Sequence, residues 1–172
     1  MAVLEIRQYP DPVLRKKTKR VEEITPEIVR LIDDMVETMY AAPGVGLAAP
    51  QVGISLRLAV IDVSSKEDPP RVFVLINPEF LMKEGEVEEE EGCLSVDDCH
   101  VDIRRFEAVK VRALDREGNG YEVEAGGLLA RALQHEIDHL DGILILDHMS
   151  PLKRDLFKRK LRKARKEGTE AS

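Results

Sequence analysis

The stretch 128–140, LLARALQHEIDHL, decides how this chain of 172 residues is interpreted. We predict that it forms a helix, which places His135 and His139 one turn apart on the same face. Two neutral imidazoles at this spacing can bind one divalent metal ion. Glu136 follows the first histidine and is positioned to exchange protons with a water molecule at that metal. This HExxH pattern is typical of metal-dependent hydrolases that cleave amide bonds.

The composition predicts one globular domain spanning residues 1–172. Hydrophobic residues make up 43% and charged residues 34% of the chain, which argues against disorder. No apolar run approaches the roughly 18 residues that a membrane helix needs, and the N-terminus lacks the pattern of a signal peptide. Because aromatic residues are scarce, a platform for stacking single-stranded nucleic acid is not expected. We therefore expect a cytoplasmic protein with free thiols and with neither a membrane nor DNA as a partner.

Positive charge is concentrated at the C-terminus. Residues 153–172 contain nine Lys or Arg and three acidic residues, a balance of +6, whereas the whole chain has a net charge of −7. Residues 1–152 therefore carry −13. The basic segment suits an anionic partner, and a solvated helix face explains it equally well.

The remaining pattern predicts an α+β fold, with mostly antiparallel strands packed around the central metal-binding helix and a helix near each terminus. Thr25 and Pro26 are the residue types preferred at the start of a helix, and an apolar stripe at helical spacing follows over 28–39. The stretches 56–63 and 72–76 are predicted to be buried strands.

Two further elements complete this prediction. Alternating apolar and polar residues over 109–113 and 121–125 indicate a β-hairpin with one solvated face. A last amphipathic helix is predicted over about 151–166. Its apolar side chains are expected to point inward: Leu152, Leu156, Phe157 and Leu161.

A tetrahedral metal ion needs a third protein ligand besides the two histidines. Metzincin proteases supply a third histidine at a position that holds Ile145 in this chain. Thermolysin-like proteases supply a downstream Glu, but the acids there, Asp155 and Glu167, lie in the basic tail. Neither arrangement therefore completes the site.

Cys93, in the segment EGCLS at 91–95, is the better third ligand, because a thiolate binds zinc or ferrous iron strongly. Cys99, next to His100, is its competitor. A third segment, GVGLAAPQ at 44–51, has glycines and small residues that let the backbone approach a ligand or another strand closely.

Taken together, GVGLAAPQ, EGCLS and QHEIDH at 134–139 closely resemble the three signature motifs of the peptide deformylases. They occur in the family's order and at compatible separations, and the similarity extends over most of the chain. The basic C-terminal segment also looks like that of bacterial members found in many Gram-negative species. The resemblance implies an enzyme that removes the formyl group from the N-terminal formyl-methionine of newly made polypeptides and releases formate.

The resemblance implies one divalent metal ion, held by Cys93, His135 and His139, with water as the fourth ligand and as the nucleophile. Bacterial members usually carry ferrous iron, which nickel, cobalt or zinc can replace.

The resemblance also implies catalytic groups. Glu136 would accept a proton from the water and deliver it to the leaving amine. The Gln51 amide and the Leu94 backbone N–H would stabilise the negative charge that develops on the formyl oxygen. Glu91 and Arg105 match an ion pair that holds the cysteine loop in place.

Substrate would be bound by two segments of the chain. An apolar pocket lined by Val45, Leu128 and Ala132 would take the methionine side chain, and the backbone of Gly46 and 89–91 would pair with the peptide like an added strand. The residues expected to bind substrate are Gly44, Val45, Gly46, Leu128 and Ala132. We expect a monomer, and we predict that the basic C-terminal helix contacts the ribosome.

Two positions depart from the family pattern. His100 stands where some relatives have an arginine that contacts the substrate, so it contacts peptide carbonyls or, alternatively, faces solvent from a loop. Glu89 replaces an apolar residue at the edge of the pocket, which leaves the preference beyond formyl-methionine open.

Two other functions compete with a deformylase. The HExxH pattern alone would fit a zincin-type protease. A non-catalytic module would use the metal structurally, with Cys99 as a fourth ligand and the basic tail binding RNA.

Overall fold

The computed structural model describes residues 2–171, apart from the side chains at 98, 165 and 167–171. In chain order its helices and strands are α1 Pro26–Ala41, β1 Gly46–Ala48, β2 Leu58–Ile61, β3 Phe73–Glu84, β4 Val87–Cys93, β5 Val96–Arg105, β6 Ala108–Leu114, β7 Gly120–Gly126, α2 Gly127–Leu140 and α3 Pro151–Ala171. Paired strands among these elements run antiparallel. The predicted α+β class, with a central helix and two flanking helices, is therefore confirmed.

Helix α1 begins where the sequence predicted. The Thr25 side-chain oxygen accepts a hydrogen bond from the Ile28 N–H at 3.3 Å, and Pro26 occupies the first helical position. The buried face of α1 includes Ile32 and Met35, which pack against residues of β1, β2 and β3. This helix therefore covers the side of the sheet that includes β1, which lies within the segment 44–51.

The main sheet has five strands in the order β1-β2-β3-β6-β7. Helix α2 packs against it and buries Leu133, Ile137 and Leu140 among the strand side chains. Burying side chains of this size against a close-packed sheet fixes both the position and the rotation of the helix. The two histidines of α2 are thereby held in one orientation.

Strands β4 and β5 form a separate two-stranded sheet that the sequence did not predict. Its first strand is the acidic run that contains Glu88, Glu89 and Glu90, all exposed, so it lacks the apolar alternation that signals a strand. The predicted strand over 72–76 also continues much further, to Glu84, through two shifts of register. Conversely, β2 is shorter than the predicted 56–63.

The last helix is longer than predicted and packs less completely. Phe157 is half-buried against the third core cluster, and Leu161 borders a cavity beside Tyr9 and Val96. The expectation that Leu152 and Leu156 point inward is wrong, because they are 70% and 54% exposed. These leucines form a neighbouring stripe of the helix that faces away from the body of the protein. None of the described helices is both long enough and apolar enough to cross a membrane.

Candidate metal centre and active site

Three potential metal ligands converge at the C-terminal half of α2. The His135 and His139 Nε2 atoms lie 3.2 Å apart, and the Cys93 Sγ atom lies 3.3 Å from His139 Nε2. All three ligand atoms fall within 4.8 Å of one another. The histidines arrive one helical turn apart, whereas Cys93 arrives from the end of β4.

These distances fit a divalent ion. Ligands at about 2.0–2.3 Å around a tetrahedral ion are separated from each other by roughly 3.3–3.7 Å, close to the observed spacings. The His135 Nδ1 atom lies 3.0 Å from Glu91 Oε1, so this carboxylate fixes the tautomer that directs the Nε2 lone pair toward the other ligands. A thiolate and two imidazoles are also the donors that zinc and ferrous iron favour.

The surroundings of the two histidines shift their pKa values in opposite directions. Although burial opposes the charge, hydrogen bonds with Cys93 and Glu91 raise the pKa of His135 well above its ordinary value. Burial and the neighbouring charge on His135 instead hold the pKa of His139 well below that value. If both imidazoles are neutral, the lone pairs of their Nε2 atoms face each other and repel unless a cation lies between them. A metal ion can supply this positive charge in place of the proton on His135.

Glu136 is a buried carboxylate beside this ligand set. It is 4% exposed, and its Oε1 atom has no hydrogen-bond partner within the described residues. Burial raises its pKa to about 7. A Cβ atom at Gly46 would lie 2.5 Å from Glu136 Oε2, so only glycine leaves space for the carboxylate where it stands.

Gln51 and Leu94 lie on either side of the cysteine. The Gln51 Oε1 atom accepts a hydrogen bond from the Ala48 N–H at 2.9 Å, which turns its amide nitrogen toward Ser95 Oγ at 3.1 Å and Cys93 Sγ at 3.8 Å. Leu94 follows the cysteine directly and lines the same cavity. Both residues are thus close enough to the ligand set for the roles expected of them, which stay predictions.

A cavity of about 470 Å³ opens onto the three ligands and Glu136. Its walls include every residue that the sequence suggested for substrate binding: Gly44, Val45, Gly46, Leu128 and Ala132. Val45 and Leu128 are 45% and 56% exposed at its mouth, whereas Ala132 is buried deeper. On its other side the cavity is bordered by the acidic strand β4 at Glu89, Glu90 and Glu91.

A buried ion pair supports the cysteine strand from behind. Arg105 donates to both Glu91 carboxylate oxygens, at 3.0 and 2.9 Å, and its side chain is 4% exposed. Although burial opposes ionisation, hydrogen bonds from His135 and Arg105 lower the pKa of Glu91 to about 2. Arg105 also pairs with Asp138 of α2, so it connects the cysteine strand to the helix that carries the histidines.

The sequence analysis missed two members of this network, Arg131 and Asp138. Arg131 is 5% exposed and donates to Glu91, to the Glu89 carbonyl at 2.9 Å and to the Ile103 carbonyl at 3.2 Å, while its Nη1 atom has no described partner. It lies four residues before His135, on the same helical face. A charged residue on an otherwise buried stripe was the available signal.

Cys99 does not join the ligand set. It is 2% exposed within an apolar cluster, and burial, followed by the nearby Cys93, raises the pKa of its thiol to about 11. His100 lies on β5 rather than in a loop, and its exposed side chain is 3.6 Å from Glu90. Among the described residues the group therefore has three protein ligands, and no fourth ligand closes the site.

Comparison with known proteins identifies the family. A family model for polypeptide deformylase matches residues 3–155. The chain is 56% identical to a peptide deformylase of Thermodesulfovibrio yellowstonii over 94% of this chain and 98% of that protein. It is also similar to the crystal structure of a peptide deformylase from Legionella pneumophila, with 48% identity, a TM-score of 0.90 and 98% of each chain covered.

A second similar crystal structure is that of a complex. It is a peptide deformylase from Ehrlichia chaffeensis in complex with actinonin, 40% identical to this chain, with a TM-score of 0.90 and coverage of 95% of this chain and 98% of that one. These matches extend over the fold and over all three motifs that carried the resemblance in the sequence. The chain belongs to the polypeptide deformylase family.

Proposed function

We propose that this chain hydrolyses the formyl amide at the N-terminus of newly made formyl-methionyl polypeptides, releasing formate and a free amine. The observation that carries this proposal is the convergence of Cys93, His135 and His139 beside the buried Glu136, at the end of a peptide-sized cavity. Membership of the family supports the same reaction.

The ligand set is proposed to hold one divalent ion, ferrous iron in the cell, with nickel, cobalt or zinc as substitutes. When bound, the ion would act as a Lewis acid that polarises the formyl group and lowers the pKa of a water molecule. The carboxylate of Glu91 orients His135 through the imidazole Nδ1 atom, and Arg105 keeps Glu91 ionised and in place.

Glu136 is the proposed proton carrier. In its ionised form it accepts a proton from the attacking water, and it then delivers that proton to the amine nitrogen as the carbon–nitrogen bond breaks. Its burial suits both steps, because a carboxyl group with a pKa near neutrality can take up and release a proton. The space left by Gly46 lets the carboxylate stand beside the ligand set.

Gln51 and Leu94 are the proposed donors to the formyl oxygen. The Gln51 amide is held by Ala48 so that its N–H groups face the ligand set, and such a fixed donor needs no reorganisation during the reaction. The Leu94 backbone N–H adjoins the cysteine ligand. Together they favour the tetrahedral arrangement, in which the oxygen carries more negative charge than in the substrate.

The substrate side chain and backbone have separate proposed sites. The methionine side chain contacts Val45, Leu128 and Ala132, and the peptide backbone lies along Gly46 and the exposed edge of β4. Strand β4 pairs only with β5 among the described strands, so its other edge remains open for an added strand.

The basic helix α3 is proposed to contact the ribosome in the cytoplasm, with the protein acting as a monomer. Its described charged side chains are mostly exposed, and residues 153–172 carry a balance of +6 in the sequence. A truncation after Ser150 is expected to reduce co-sedimentation with ribosomes at low salt, and added salt to weaken binding of the full chain. Unchanged co-sedimentation of the truncated protein would contradict this contact.

The decisive experiment measures formate release from formyl-Met-Ala-Ser by the nickel-loaded or anaerobic ferrous protein. We expect rapid release by the wild type and almost none by the Glu136→Ala and Cys93→Ala variants. Cys99→Ala is the matched control, since that thiol lies outside the ligand set, and it should retain activity. Absence of release by folded, metal-loaded wild type would overturn the proposed function.

A further inference from the structure

A second cavity, of about 390 Å³, is lined by α2 residues other than those that line the substrate cavity. Its walls come from β3, the turn before β4, the end of β5 and α2 at Gln134 and Asp138. Its principal side chains are Phe80, Lys83, Arg104, Phe106, Asp138 and His148. A volume of this size accommodates a small organic molecule.

This cavity is distinct from the substrate cavity. The two share no lining residue, and the buried pair Arg105–Glu91 stands between them, with Arg105 on one wall and Glu91 on the other. A ligand in the second cavity would therefore not occupy the space of the formyl peptide.

Two aromatic rings form the apolar part of the cavity. Phe106 is 42% exposed, although burial of such a ring is normally favourable, and Phe80 is half-buried beside it. The Lys83 Nζ atom lies 4.6 Å from the centre of the Phe80 ring and 5.6 Å from that of Phe106. The ammonium group and both rings thus face the same space.

Lys83 is the cation of this cavity whose charge is not already compensated. Arg105 pairs with Glu91 and Asp138, and Arg104 lies 3.5 Å from Glu86. No carboxylate of the described side chains forms an ion pair with Lys83, whose ammonium group lies over the two rings. An anionic group could therefore reach it without displacing an existing partner.

We propose that this second cavity binds a small aromatic carboxylate. The ring of the ligand packs against Phe80 and Phe106, and its carboxylate pairs with Lys83. The two interactions need a flat apolar group and a negative charge on one molecule, and a neutral aromatic compound would satisfy only the first.

The test uses 2-naphthoate and the full-length, nickel-loaded protein, with binding followed by titration calorimetry. We expect a Kd on the order of 1 mM or tighter. The neutral analogue 2-naphthamide and the Lys83→Met variant should each weaken binding about tenfold. Lys110→Met is the matched control, because Lys110 pairs with Glu122 outside the cavity, and it should leave the Kd unchanged.

Competition distinguishes this cavity from the metal centre. Saturating Met-Ala-Ser peptide should leave the affinity for 2-naphthoate unchanged, and Lys83→Met should retain formate release, which shows that the variant is folded. Competition by the peptide, equal binding of the amide, or an unaffected Lys83→Met variant would each overturn the proposal. So would the absence of binding up to about 10 mM ligand.

Discussion

The two halves of the metal site are held in different ways. His135 and His139 lie on α2, whose apolar side chains are packed against a five-stranded sheet. Cys93 lies on a two-stranded sheet whose acidic first strand is exposed along most of its length. Core packing therefore positions the histidines, whereas the cysteine depends on contacts with charged residues.

Those charged contacts are unusually concentrated. Arg105 and Arg131 both bind Glu91, two residues before the cysteine, and both arginines are almost fully buried. Arg105 reaches α2 through Asp138, and Arg131 itself belongs to α2. The cysteine half is thus attached to the histidine half by ion pairs, and the variants below test the two halves separately.

The largest effect is expected for chemistry on the histidine half. Glu136→Gln preserves the shape of the side chain but removes the proton acceptor, so kcat should fall on the order of 10³-fold. Metal content and thermal stability should change little. Formate release and bound metal, measured on the same preparation, check this, and a kcat within about tenfold of wild type would exclude Glu136 as the proton carrier.

The connection between the halves is tested by Arg105→Ala. This change removes the buried arginine that joins Glu91 to Asp138, although Glu91 keeps Arg131 and His135 as partners, and it should cost about 3 kcal/mol of unfolding free energy. Denaturant unfolding of the metal-loaded protein measures the loss. Arg112→Ala is the control, because its pair with Glu79 is more than half exposed and should contribute under about 1 kcal/mol. Equal losses in the two variants would show that the buried network does not hold the halves together.

A smaller effect is expected for Glu91→Gln, which affects the cysteine half without removing bulk. The amide cannot compensate the charges of Arg105 and Arg131 or accept as strongly from His135, so metal affinity should fall about 10–100-fold. Competition with a chelator measures that affinity. Glu88→Gln, on the exposed part of the same strand, should have no effect. If both variants bound metal like the wild type, Glu91 would have no supporting role.

The smallest effect concerns the segment beneath the cysteine sheet, where Arg15 pairs with Asp147. Although burial opposes it, hydrogen bonds from Arg15 and the Leu144 N–H lower the pKa of Asp147. A carboxyl whose pKa is lower in the folded state stabilises the fold above its unfolded pKa of about 4, and this contribution is lost as the pH falls through the folded value.

Because both side chains are partly exposed, the contribution should stay under about 1 kcal/mol. Unfolding free energies of wild type and Asp147→Asn, measured between pH 7 and pH 3, should therefore differ at neutral pH and converge in acid. A difference that stays constant over this range would rule out ionisation of Asp147 as its source.

The same contrast explains what the sequence could predict. The histidine half depends on local spacing, so HEIDH predicted two candidate ligands and a candidate proton carrier, which the fold brings together, and Thr25-Pro26 located the start of α1. Strands β4 and β5 were missed because charges replace the apolar alternation along β4. The acidic residues of β4 find partners only in the folded protein, among residues distant in sequence such as Arg105 and Arg131.

Other errors have the same origin. Leu152 and Leu156 have helical spacing, but which stripe of α3 meets the body depends on a surface built from other segments. Asp138 resembled an ordinary polar residue within HEIDH until its contacts with Arg105 and His148 were known. Local patterns predicted most of the elements and the candidate ligands that the fold brings together, whereas tertiary contacts decided the supporting residues.

The close approach of Gly46 to Glu136 has a consequence for how this protein can vary. Every other amino acid carries at least a methyl group at this position, and that methyl would push the carboxylate away from where it stands. We therefore expect every substitution of Gly46 to displace the Glu136 carboxylate, although the backbone at this position is an ordinary strand that any residue could adopt. We expect substitutions that resist an inhibitor of this cavity to arise at neighbouring residues and not at Gly46, because a side chain there would displace Glu136, the proposed proton carrier.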